Sequence, residues 1–308
     1  MNALITGGAG FIGSHLARAL LDRGDQVRIL DDFSTGHRAN VPDGATLIEG
    51  SILDPAAVRE AVADSTVIFH EAAMVSVPLS VEQPDACVEL NLVGTQRIIE
   101  AACDANVRRI VLASSAAVYG DDAPMPTTED SPPDPRSPYA ATKMASEHLL
   151  RSAAACYDIS TVSLRYFNIF GPRQDPNSAY AAAIAAFADA LTSGRAPMIF
   201  GDGEQTRDFT PVANVVHANL LAADTSNTLH GEAMNIGTGK RTSLLDVIAR
   251  MQDVLGTNAE IVFKPERAGD VRHSCADIQR AKKLIGYEPI SSFDTGIEAL
   301  LSADRADV

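Results

Sequence analysis

A tyrosine and a lysine four positions apart are the residues of this sequence best suited to proton chemistry. Tyr139 and Lys143 open the segment 138–157, whose pattern predicts a helix, so both side chains should lie on one helix face. The lysine charge can lower the pKa of the phenol, and the lysine can also reach a ribose hydroxyl of a bound ligand. Ser115 adds a hydroxyl where a predicted strand, 109–113, has just ended. Taken alone, a tyrosine and lysine at this spacing are common in helices and are more often structural.

A glycine cluster near the first residue predicts a place where a dinucleotide could bind. Gly8, Gly10 and Gly13 form one spaced pattern, and Gly7 with the last two forms another, between a predicted strand and a predicted helix. Glycine permits the tight turn and lets a pyrophosphate approach the main-chain N–H groups at the helix start, where the helix dipole favours an anion. The alternative is a glycine-rich turn without a ligand.

An acidic residue follows the second predicted strand, 26–30. Asp31 stands 18 positions after Gly13, where a carboxylate can accept hydrogen bonds from the adenosine ribose hydroxyls. The same charge repels a 2′-phosphate. NAD is therefore favoured over NADP.

Strands and helices alternate along the first half of the chain. Further buried strands are predicted over 46–48, 66–70 and 159–164, and a long amphipathic helix is predicted over 84–106. This alternation is typical of an α/β protein with a doubly wound parallel sheet of the Rossmann type. Ligands of such sheets bind at the carboxyl ends of the strands.

Composition limits the partners and the compartment. The 308 residues carry a formal charge of −15, which argues against a general affinity for nucleic acid or for a membrane surface. No apolar run reaches transmembrane length, and the first strand starts at residue 2, so we expect a cytoplasmic protein. Four widely spaced cysteines predict reduced thiols. The seven histidines show no metal-ligand spacing, so we expect no metal site.

With these features in one order, the chain resembles the extended short-chain dehydrogenase/reductase family, and within it the nucleotide-sugar 4-epimerases such as the UDP-galactose (UDP-glucose) 4-epimerases. The resemblance runs over nearly the whole chain, and its most specific blocks are 6–13, 114–120, 138–143 and 164–168. It implies tightly held NAD and the interconversion of UDP-glucose and UDP-galactose through a transient 4-keto sugar. Tyr139, supported by Lys143, would be the base, and Ser115 would hold or relay the proton.

The resemblance also implies which residues bind the ligands. Cofactor contacts are expected from Gly7, Gly10, Phe11, Ile12, Gly13, Asp31, Asp32, Ser51, Ile52, Ala72, Ala73, Asn91, Ser114, Tyr139, Lys143 and Tyr166. Substrate contacts are expected from Val75, Ser115, Asn168, Phe200, Arg207, Arg267, Asp270 and Ser274. Among them, Asn168 and the two arginines match positions at the diphosphate, and Asp270 matches a contact to the uridine ribose.

Three positions bear on specificity or depart from the family pattern. Ser274 matches a residue beside the hexose C2 substituent, and its small size predicts that N-acetylated UDP-hexoses are also accepted. Ser51 stands where many epimerases have an aspartate near the adenine, which leaves the adenine contact to Ile52 and the main chain. Asn214 replaces a frequent aspartate, and its residue type suggests no functional role.

Several other activities share this scaffold. Dehydratases and decarboxylases usually carry an acidic residue just after the active-site serine or threonine, whereas Ala116 and Ala117 stand here. UDP-glucuronate 4-epimerase and a nucleotide-sugar reductase remain as alternatives. A non-catalytic NAD-binding protein is disfavoured, because a binding module needs neither the tyrosine nor the lysine.

We expect two parts in the chain and two chains in the assembly. Residues 1–167 should form the NAD-binding Rossmann domain, and 168–308 mainly a UDP-sugar-binding lobe, with a part near 208–236 returning to the first domain. The family pairs helices equivalent to 84–106 and 138–157 across a twofold axis. A homodimer is therefore expected.

Overall fold

The computed structural model describes residues 1–175, 183–266 and 272–306. Its strands are β1 (Asn2–Thr6), β2 (Gln26–Asp31), β3 (Thr46–Glu49), β4 (Val67–His70), β5 (Arg109–Ser115), β6 (Ser160–Tyr166), β7 (Ile169–Phe170), β8 (Met198–Phe200), β9 (Thr206–Arg207), β10 (Thr210–Pro211), β11 (His230–Ile236), β12 (Thr242–Ser243) and β13 (Val262–Lys264).

The helices are distributed between these strands. They are α1 (Phe11–Asp22), α2 (Pro55–Val62), α3 (Val77–Glu82), α4 (Pro84–Val88), α5 (Gly94–Asp104), α6 (Pro138–Cys156), α7 (Ala183–Thr192), α8 (Val212–Asp224), α9 (Leu244–Leu255), α10 (Gln279–Ile285) and α11 (Phe293–Ala306). Short 3₁₀ helices lie at Arg38–Asn40 and Ala116–Tyr119. Within the described ranges, none of the helices combines the length and hydropathy that crossing a bilayer requires.

One seven-stranded sheet organises the molecule. Its order is β11, β6, β5, β4, β1, β2, β3, and every neighbouring pair in it is parallel. The central strands are almost wholly buried, as expected for a sheet that helices cover on both faces. The predicted doubly wound α/β fold is confirmed.

The two faces of the sheet carry separate apolar cores. In β1, Ala3 and Ile5 face a core shared with α1 and α8, while Leu4 between them faces a core shared with α2, α5 and α6. The alternation follows from the pleat of a strand, which sends successive side chains to opposite faces. Continuous apolar runs in these strands are thus needed to fill both cores.

The strand order reverses beside β1, and this reversal fixes where a ligand can bind. The chain runs from β1 to β2 and β3 on one side, and later places β4 on the other side. Gly7 after β1 meets Ala72 after β4 at this point, where a Cβ on Gly7 would lie 2.8 Å from the Ala72 nitrogen. In open α/β sheets, ligands bind in the crevice outside the carboxyl ends of the strands at such a switch point.

The segment predicted as one helix over 84–106 is interrupted in the structure. A π-helical turn, Glu89–Val93, separates α4 from α5. The carbonyl of Asn91 within it accepts hydrogen bonds from the hydroxyls of Thr95 and Ser146. These side chains provide partners for a carbonyl where the regular helical pattern is disturbed. Apolar spacing alone does not reveal such a turn.

Several helices and short strands from the second half of the chain form a smaller group with its own core. β8 pairs with β13, and helices α7, α9 and α11 surround a core that includes Phe187, Leu191, Ile248 and Leu300. Between these elements, α8 packs on the large sheet and β11 extends that sheet beside β6. The chain therefore leaves the large sheet, returns to it and leaves again.

Asn214 has a structural explanation as an amide. It is buried on α8, and its Oδ1 accepts the main-chain N–H groups of Ile290 and Ser291, both at 2.8 Å. Its Nδ2 donates to the Ser291 carbonyl at 2.8 Å. An ionised aspartate could accept these hydrogen bonds but could not donate the third. The amide thus ties α8 to the turn before α11.

Candidate active site

The glycine turn between β1 and α1 brings the backbone unusually close to itself. A Cβ on Gly13 would lie 2.3 Å from the Gly7 carbonyl oxygen, so only glycine fits in this first helical turn. Gly10 is the N-cap of α1, and its N–H donates to the same carbonyl at 3.1 Å. The N–H groups of the first turn have no partner within the helix, and with the helix dipole they form a place for a diphosphate.

Asp31 is held against this turn by two main-chain donors. Its Oδ2 accepts the N–H of Ala9 and its Oδ1 accepts the N–H of Phe33, both at 2.9 Å. Burial raises the pKa of the Asp31 carboxyl, and the two N–H groups oppose this increase. Since Asp31 also lines a cavity, its carboxyl is fixed in place to accept hydrogen bonds from ligand hydroxyls.

A cavity of about 470 Å³ extends along the carboxyl ends of the sheet strands, and we call it the first cavity. The predicted cofactor residues that line it are Gly7, Gly10, Phe11, Ile12, Gly13, Asp31, Asp32, Ile52, Ala72, Ala73, Ser114, Tyr139, Lys143 and Tyr166. Its size is that of a cofactor site. A dinucleotide fits these residues, because the glycine turn can take the diphosphate and the acid can take a ribose.

Two predicted cofactor residues, Ser51 and Asn91, lie outside the wall of the first cavity. The Ser51 hydroxyl accepts the N–H of Leu53 at 3.3 Å and so holds a turn, while the neighbouring Ile52 lines the cavity. Asn91 is 2% exposed; its amide accepts the N–H of Met74 at 2.7 Å and donates to its carbonyl at 3.1 Å. Asn91 therefore braces the loop after β4, and this loop lines the cavity.

Ser115, Tyr139 and Lys143 come together in the first cavity, with β4 and β1 between them and the strand of Asp31. The Ser115 hydroxyl lies near the phenol of Tyr139 and lowers its pKa, because it can donate a hydrogen bond to the phenolate. The Lys143 Nζ lies 5.9 Å from the centre of the tyrosine ring and donates to the Ala113 carbonyl at 2.7 Å. The end of β5 and the first turns of α6 thus place three proton-bearing groups side by side.

Burial has the largest effect on the pKa values of Tyr139 and Lys143. It raises the pKa of Tyr139, and the hydrogen bond with Ser115 only partly opposes the increase. It also lowers the pKa of Lys143 to about 8, although nearby negative charges, first that of Glu71, oppose the decrease. The predicted lowering of the tyrosine pKa by Lys143 is therefore not the net effect, since burial disfavours the charged form of each group.

A second cavity, of about 480 Å³, adjoins the first. The predicted substrate residues that line it are Ser115, Asn168, Arg207 and Ser274. The Nδ2 of Asn168 donates to the Ser274 Oγ at 3.2 Å. The Nη1 of Arg207 donates to the carbonyls of Thr206 and Arg272, at 3.0 and 3.3 Å. Segments far apart in the sequence therefore meet around this cavity.

The other predicted substrate residues have three different placements. Val75 is 65% exposed and lines the first cavity. Phe200 ends β8 and lines neither cavity; its carbonyl accepts the Gln205 amide at 2.7 Å. Arg267 and Asp270 lie outside the described residues.

The two cavities share one wall, and Ser115 lies in it, whereas Tyr139 and Lys143 line only the first cavity. Residues common to both linings are Val77, Ser115, Ala117, Tyr166 and Asn168. Ligands in the two cavities would therefore meet beside Ser115 and Tyr139. The arrangement suits transfer between two ligands, with a proton exchanged at the tyrosine. Alanines follow Ser115, so the wall has no carboxylate directly after it.

Glu71 is a cavity residue that sequence reasoning missed. It lines the first cavity, and its Oε1 accepts the Tyr166 hydroxyl at 2.9 Å. Burial raises the pKa of Glu71 to about 7. Gln174 in the first cavity and His273 in the second were also missed. For Glu71 a signal existed, since an acidic residue directly after a buried strand stands at the ligand-binding edge of the sheet.

Comparison with known proteins gives consistent matches along the chain. A sequence model of the NAD dependent epimerase/dehydratase family matches residues 3–237. The UDP-glucose 4-epimerase of Mycolicibacterium smegmatis is 40% identical over 305 residues, which cover 96% of each protein. These sequence matches include both the glycine turn and the Ser115, Tyr139 and Lys143 segments.

Solved structures agree with these matches. The UDP-N-acetylglucosamine 4-epimerase of Methanobrevibacter ruminantium, in complex with UDP-N-acetylmuramic acid, is 36% identical with a TM-score of 0.95, covering 100% of this chain and 99% of that one. The Thermus thermophilus UDP-glucose 4-epimerase in complex with NAD is 36% identical with a TM-score of 0.91, covering 100% of both. Because the family model spans most of the chain and these relatives align along nearly all of it, the chain belongs to the NAD-dependent epimerase/dehydratase family.

Proposed function

We propose that this protein is a UDP-hexose 4-epimerase, an isomerase that uses NAD to interconvert UDP-glucose and UDP-galactose. The observation that carries the proposal is the shared wall of the two cavities, where a cofactor and a sugar would meet beside Ser115 and Tyr139. Family membership and the UDP-glucose 4-epimerases among the relatives support the same reaction.

NAD is the cofactor, as in the family to which the chain belongs. Gly7, Gly10 and Gly13 would hold its diphosphate at the start of α1, and Asp31 would accept hydrogen bonds from the adenosine ribose. Ile52 would lie beside the adenine. When bound, NAD supplies a reversible acceptor for the hydride that leaves the sugar C4.

Tyr139 is the proposed general base. Its phenolate oxygen would take the proton of the sugar 4-hydroxyl as the hydride leaves the same carbon. The Ser115 hydroxyl, which lies near the Tyr139 phenol, would bond the same sugar oxygen and position or relay the proton. The Lys143 charge favours the phenolate and so offsets part of the cost of its burial.

The product of this step is a 4-keto sugar, which is planar at C4. Return of the hydride to its other face gives the epimer, so the sugar must turn while the UDP remains bound. Asn168 and Arg207 in the second cavity would hold the diphosphate region, together with Arg267. Asp270 would contact the uridine ribose. Since the hydride returns in every cycle, no net redox change should be seen.

N-acetylated UDP-hexoses are further proposed substrates. Ser274 lines the second cavity, and its side chain is small enough to leave space for a 2-acetamido group. Its hydroxyl accepts the Asn168 amide, so the residue has a defined position and faces other cavity residues. The similarity to a UDP-N-acetylglucosamine 4-epimerase supports this extension.

The test uses the purified 308-residue chain. We expect denaturation to release NAD, and the native protein to convert UDP-glucose and UDP-galactose into one another without accumulation of NADH. A panel adds UDP-N-acetylglucosamine, UDP-N-acetylgalactosamine and UDP-glucuronate. Preferential turnover of UDP-glucuronate would replace the proposal with its main alternative. NAD without any turnover would indicate a non-catalytic protein.

We also propose that the chain divides as expected from its sequence. Residues 1–167 form the NAD-binding Rossmann domain and 168–308 mainly the UDP-sugar-binding lobe, with a part near 208–236 belonging to the first domain. The pairing of β11 with β6 and the packing of α8 on the sheet support this division.

A cytoplasmic homodimer is the proposed assembly. Val81, Val88 and Val93 are between 40% and 62% exposed in the segments that precede α5, and apolar side chains there suit an isologous interface. A dimeric mass in solution would support it, and a monomer at micromolar concentration would contradict it. Free Cys87 and Cys275, both buried, fit a reducing compartment.

A further inference from the structure

Glu71 is a half-buried acidic residue of the first cavity that none of the steps proposed above uses. It follows β4 directly, and its main-chain N–H donates to the Thr6 carbonyl at 3.2 Å, which continues the pairing of β4 with β1. Glu71 lines the cavity together with Tyr166 and Lys143, and its carboxyl group is bonded to the Tyr166 hydroxyl. The sheet therefore fixes the place of this carboxyl group.

A hydrogen-bond chain ends on Glu71, and the chemistry of its members sets its direction. The Asn219 Nδ2 donates to the Tyr166 hydroxyl at 2.8 Å, and this hydroxyl donates to the Glu71 Oε1 at 2.9 Å. An amide nitrogen can only donate, so the phenol has its own proton left for the carboxyl. In the part of the chain that the structure describes, no hydrogen bond reaches the Glu71 Oε2.

The surroundings of Glu71 include both signs of charge. The titratable groups near it are Lys143 and Tyr139 from α6, Tyr166 from β6 and His70 from its own strand. Burial raises the pKa of Glu71 to about 7, against the opposing effects of the Tyr166 bond and the lysine charge. His70 remains neutral, because burial lowers its pKa to about 3. Glu71 thus changes its charge near neutral pH.

We propose that Glu71 makes the site prefer the oxidised form of the cofactor over the reduced form. The oxidised nicotinamide ring carries a positive charge that the reduced ring lacks, so a carboxylate in the cavity wall stabilises only the oxidised form. An epimerase begins each cycle with oxidised cofactor, and this preference disfavours a stalled state that holds the reduced one. The inference rests on the cofactor of the proposed function and does not depend on the sugar.

The experiment measures which cofactor the protein retains. Glu71→Gln removes the charge but keeps an oxygen that can accept the Tyr166 hydrogen bond. Each protein is incubated with NAD and NADH at one fixed ratio until the bound ratio is constant, and the released cofactors are then quantified. At about pH 8 we expect the variant to shift the bound ratio toward NADH about tenfold, the effect of one charge about 12 Å away at an effective dielectric constant of about 20.

The pH dependence separates the charge from the shape of the side chain. At about pH 6 wild-type Glu71 is mostly protonated, so the two proteins should differ by less than about threefold. The Glu71 charge raises the pKa of Lys143, so the variant also loses part of the lysine charge at about pH 8. This loss favours the oxidised cofactor, so it opposes the expected shift and cannot produce it. Glu60→Gln removes the same charge from the exposed face of α2 and should leave the bound ratio unchanged.

Equal bound ratios for wild type and Glu71→Gln at about pH 8 would overturn the proposal, as would an equal shift at both pH values. If the variant does not fold, wild type alone tests it between about pH 6 and about pH 7.5, below the lysine pKa of about 8. Its bound ratio must then move toward NADH as the pH falls, and a constant ratio overturns the proposal. Recovery of neither cofactor would instead contradict the proposed function itself.

Discussion

The two cavities of this protein are built from different kinds of structure. The first lies on the ends of neighbouring sheet strands, and its residues directly follow those strands, as Gly7 follows β1 and Ala72 follows β4. The second is formed largely by loops, and one of its hydrogen bonds joins Asn168 to Ser274, 106 positions further along the chain. Sheet pairing fixes the first wall, whereas contacts between loops fix the second.

This difference suggests a division of labour. Proton and hydride chemistry needs groups held within a fraction of an ångström, and the strand ends provide such positions. Recognition of a variable sugar can be assigned to loops, which change more easily without disturbing the core. Ser115 belongs to both cavities, so it links the two kinds of wall. A substitution in one cavity should therefore alter properties of the protein that a substitution in the other cavity leaves unchanged.

The largest effect on activity is expected for Tyr139, beside the wall that the two cavities share. Tyr139→Phe removes only the phenol oxygen, so NAD and UDP-sugar binding should persist while turnover falls by about 100- to 10,000-fold, as is typical for loss of a general base. The measurement is kcat for UDP-galactose, with the cofactor content of the purified variant. Tyr157→Phe, at the exposed end of α6, is a matched control and should retain full activity. Near-normal epimerisation by Tyr139→Phe would exclude the tyrosine as base.

Local motifs explain why so much of the first cavity could be predicted from the sequence. The glycine turn, Asp31 and the Tyr139 and Lys143 pair each lie within a few residues of a strand end or helix start, and the alternation of strands and helices predicts the sheet that aligns them. Their roles in binding and catalysis stay predictions. The fold that brings them to one cavity is confirmed.

What could not be predicted depends on contacts between distant segments. Whether Glu71 faces solvent or the cavity depends on Tyr166, 95 positions later, and the bracing role of Asn91 depends on a loop that precedes it by 17 positions. In the second cavity, Thr206 pairs with His273, and this pairing places Arg207 beside Ser274. No local pattern specifies such a register between separate loops.

The second cavity can be tested through its proposed size gate. Ser274→Tyr fills space beside Asn168, so turnover of UDP-N-acetylgalactosamine should fall by about 100-fold while that of UDP-galactose changes little. The measurement is the ratio of kcat/KM for the two substrates. Ser274→Ala removes the hydrogen bond without adding bulk, and should affect both sugars equally. Equal loss of both activities in Ser274→Tyr, or a wild-type protein inactive toward N-acetylated sugars, would contradict the gate.

The stability of the protein should depend on pH through His70, the buried last residue of β4. His70 is 1% exposed and contacts the Thr6 hydroxyl through Nδ1 at 2.7 Å and the Thr95 hydroxyl through Nε2 at 2.9 Å. The Thr95 hydroxyl donates its own proton to the Asn91 carbonyl, so it accepts the Nε2 proton of His70, and in the neutral ring Nδ1 accepts the Thr6 hydroxyl proton. Burial lowers the pKa of His70 from 6.5 to about 3.

This shift sets the sign of the pH dependence. Below the unfolded pKa of 6.5 the unfolded chain binds a proton at this histidine and the native protein does not, so the free energy of unfolding falls as the pH decreases. The loss approaches about 1.4 kcal/mol per pH unit, or about 2 kcal/mol between pH 6.5 and about 5. Urea unfolding of wild type and His70→Gln measures the difference in slope. His15, whose pKa burial lowers to about 4, contributes equally to the slopes of both proteins. Identical slopes for wild type and His70→Gln would therefore contradict the prediction.

The smallest effect is expected for a change of charge without a change of shape. Asp31→Asn keeps one oxygen that can accept from a ribose hydroxyl or from the N–H groups of Ala9 and Phe33, but it removes the charge that repels a 2′-phosphate. The affinity for NADP relative to NAD should therefore rise about tenfold, the effect of one partly screened charge. Binding of each cofactor to stripped protein measures the ratio. Asp22→Asn, on the exposed face of α1, removes the same charge away from the cavity and should not alter it.

The same variant also tests the separation of the two cavities. Asp31 belongs only to the first cavity, so the KM for UDP-glucose in the NAD-loaded variant should equal that of wild type. A large change in this KM would mean that the adenosine end of the first cavity communicates with the sugar loops through the shared wall. Wild-type protein purified with NADP, or an unchanged cofactor ratio in Asp31→Asn, would show that the carboxylate does not select the cofactor. The residues at the strand ends would then hold the cofactor without distinguishing NAD from NADP by charge.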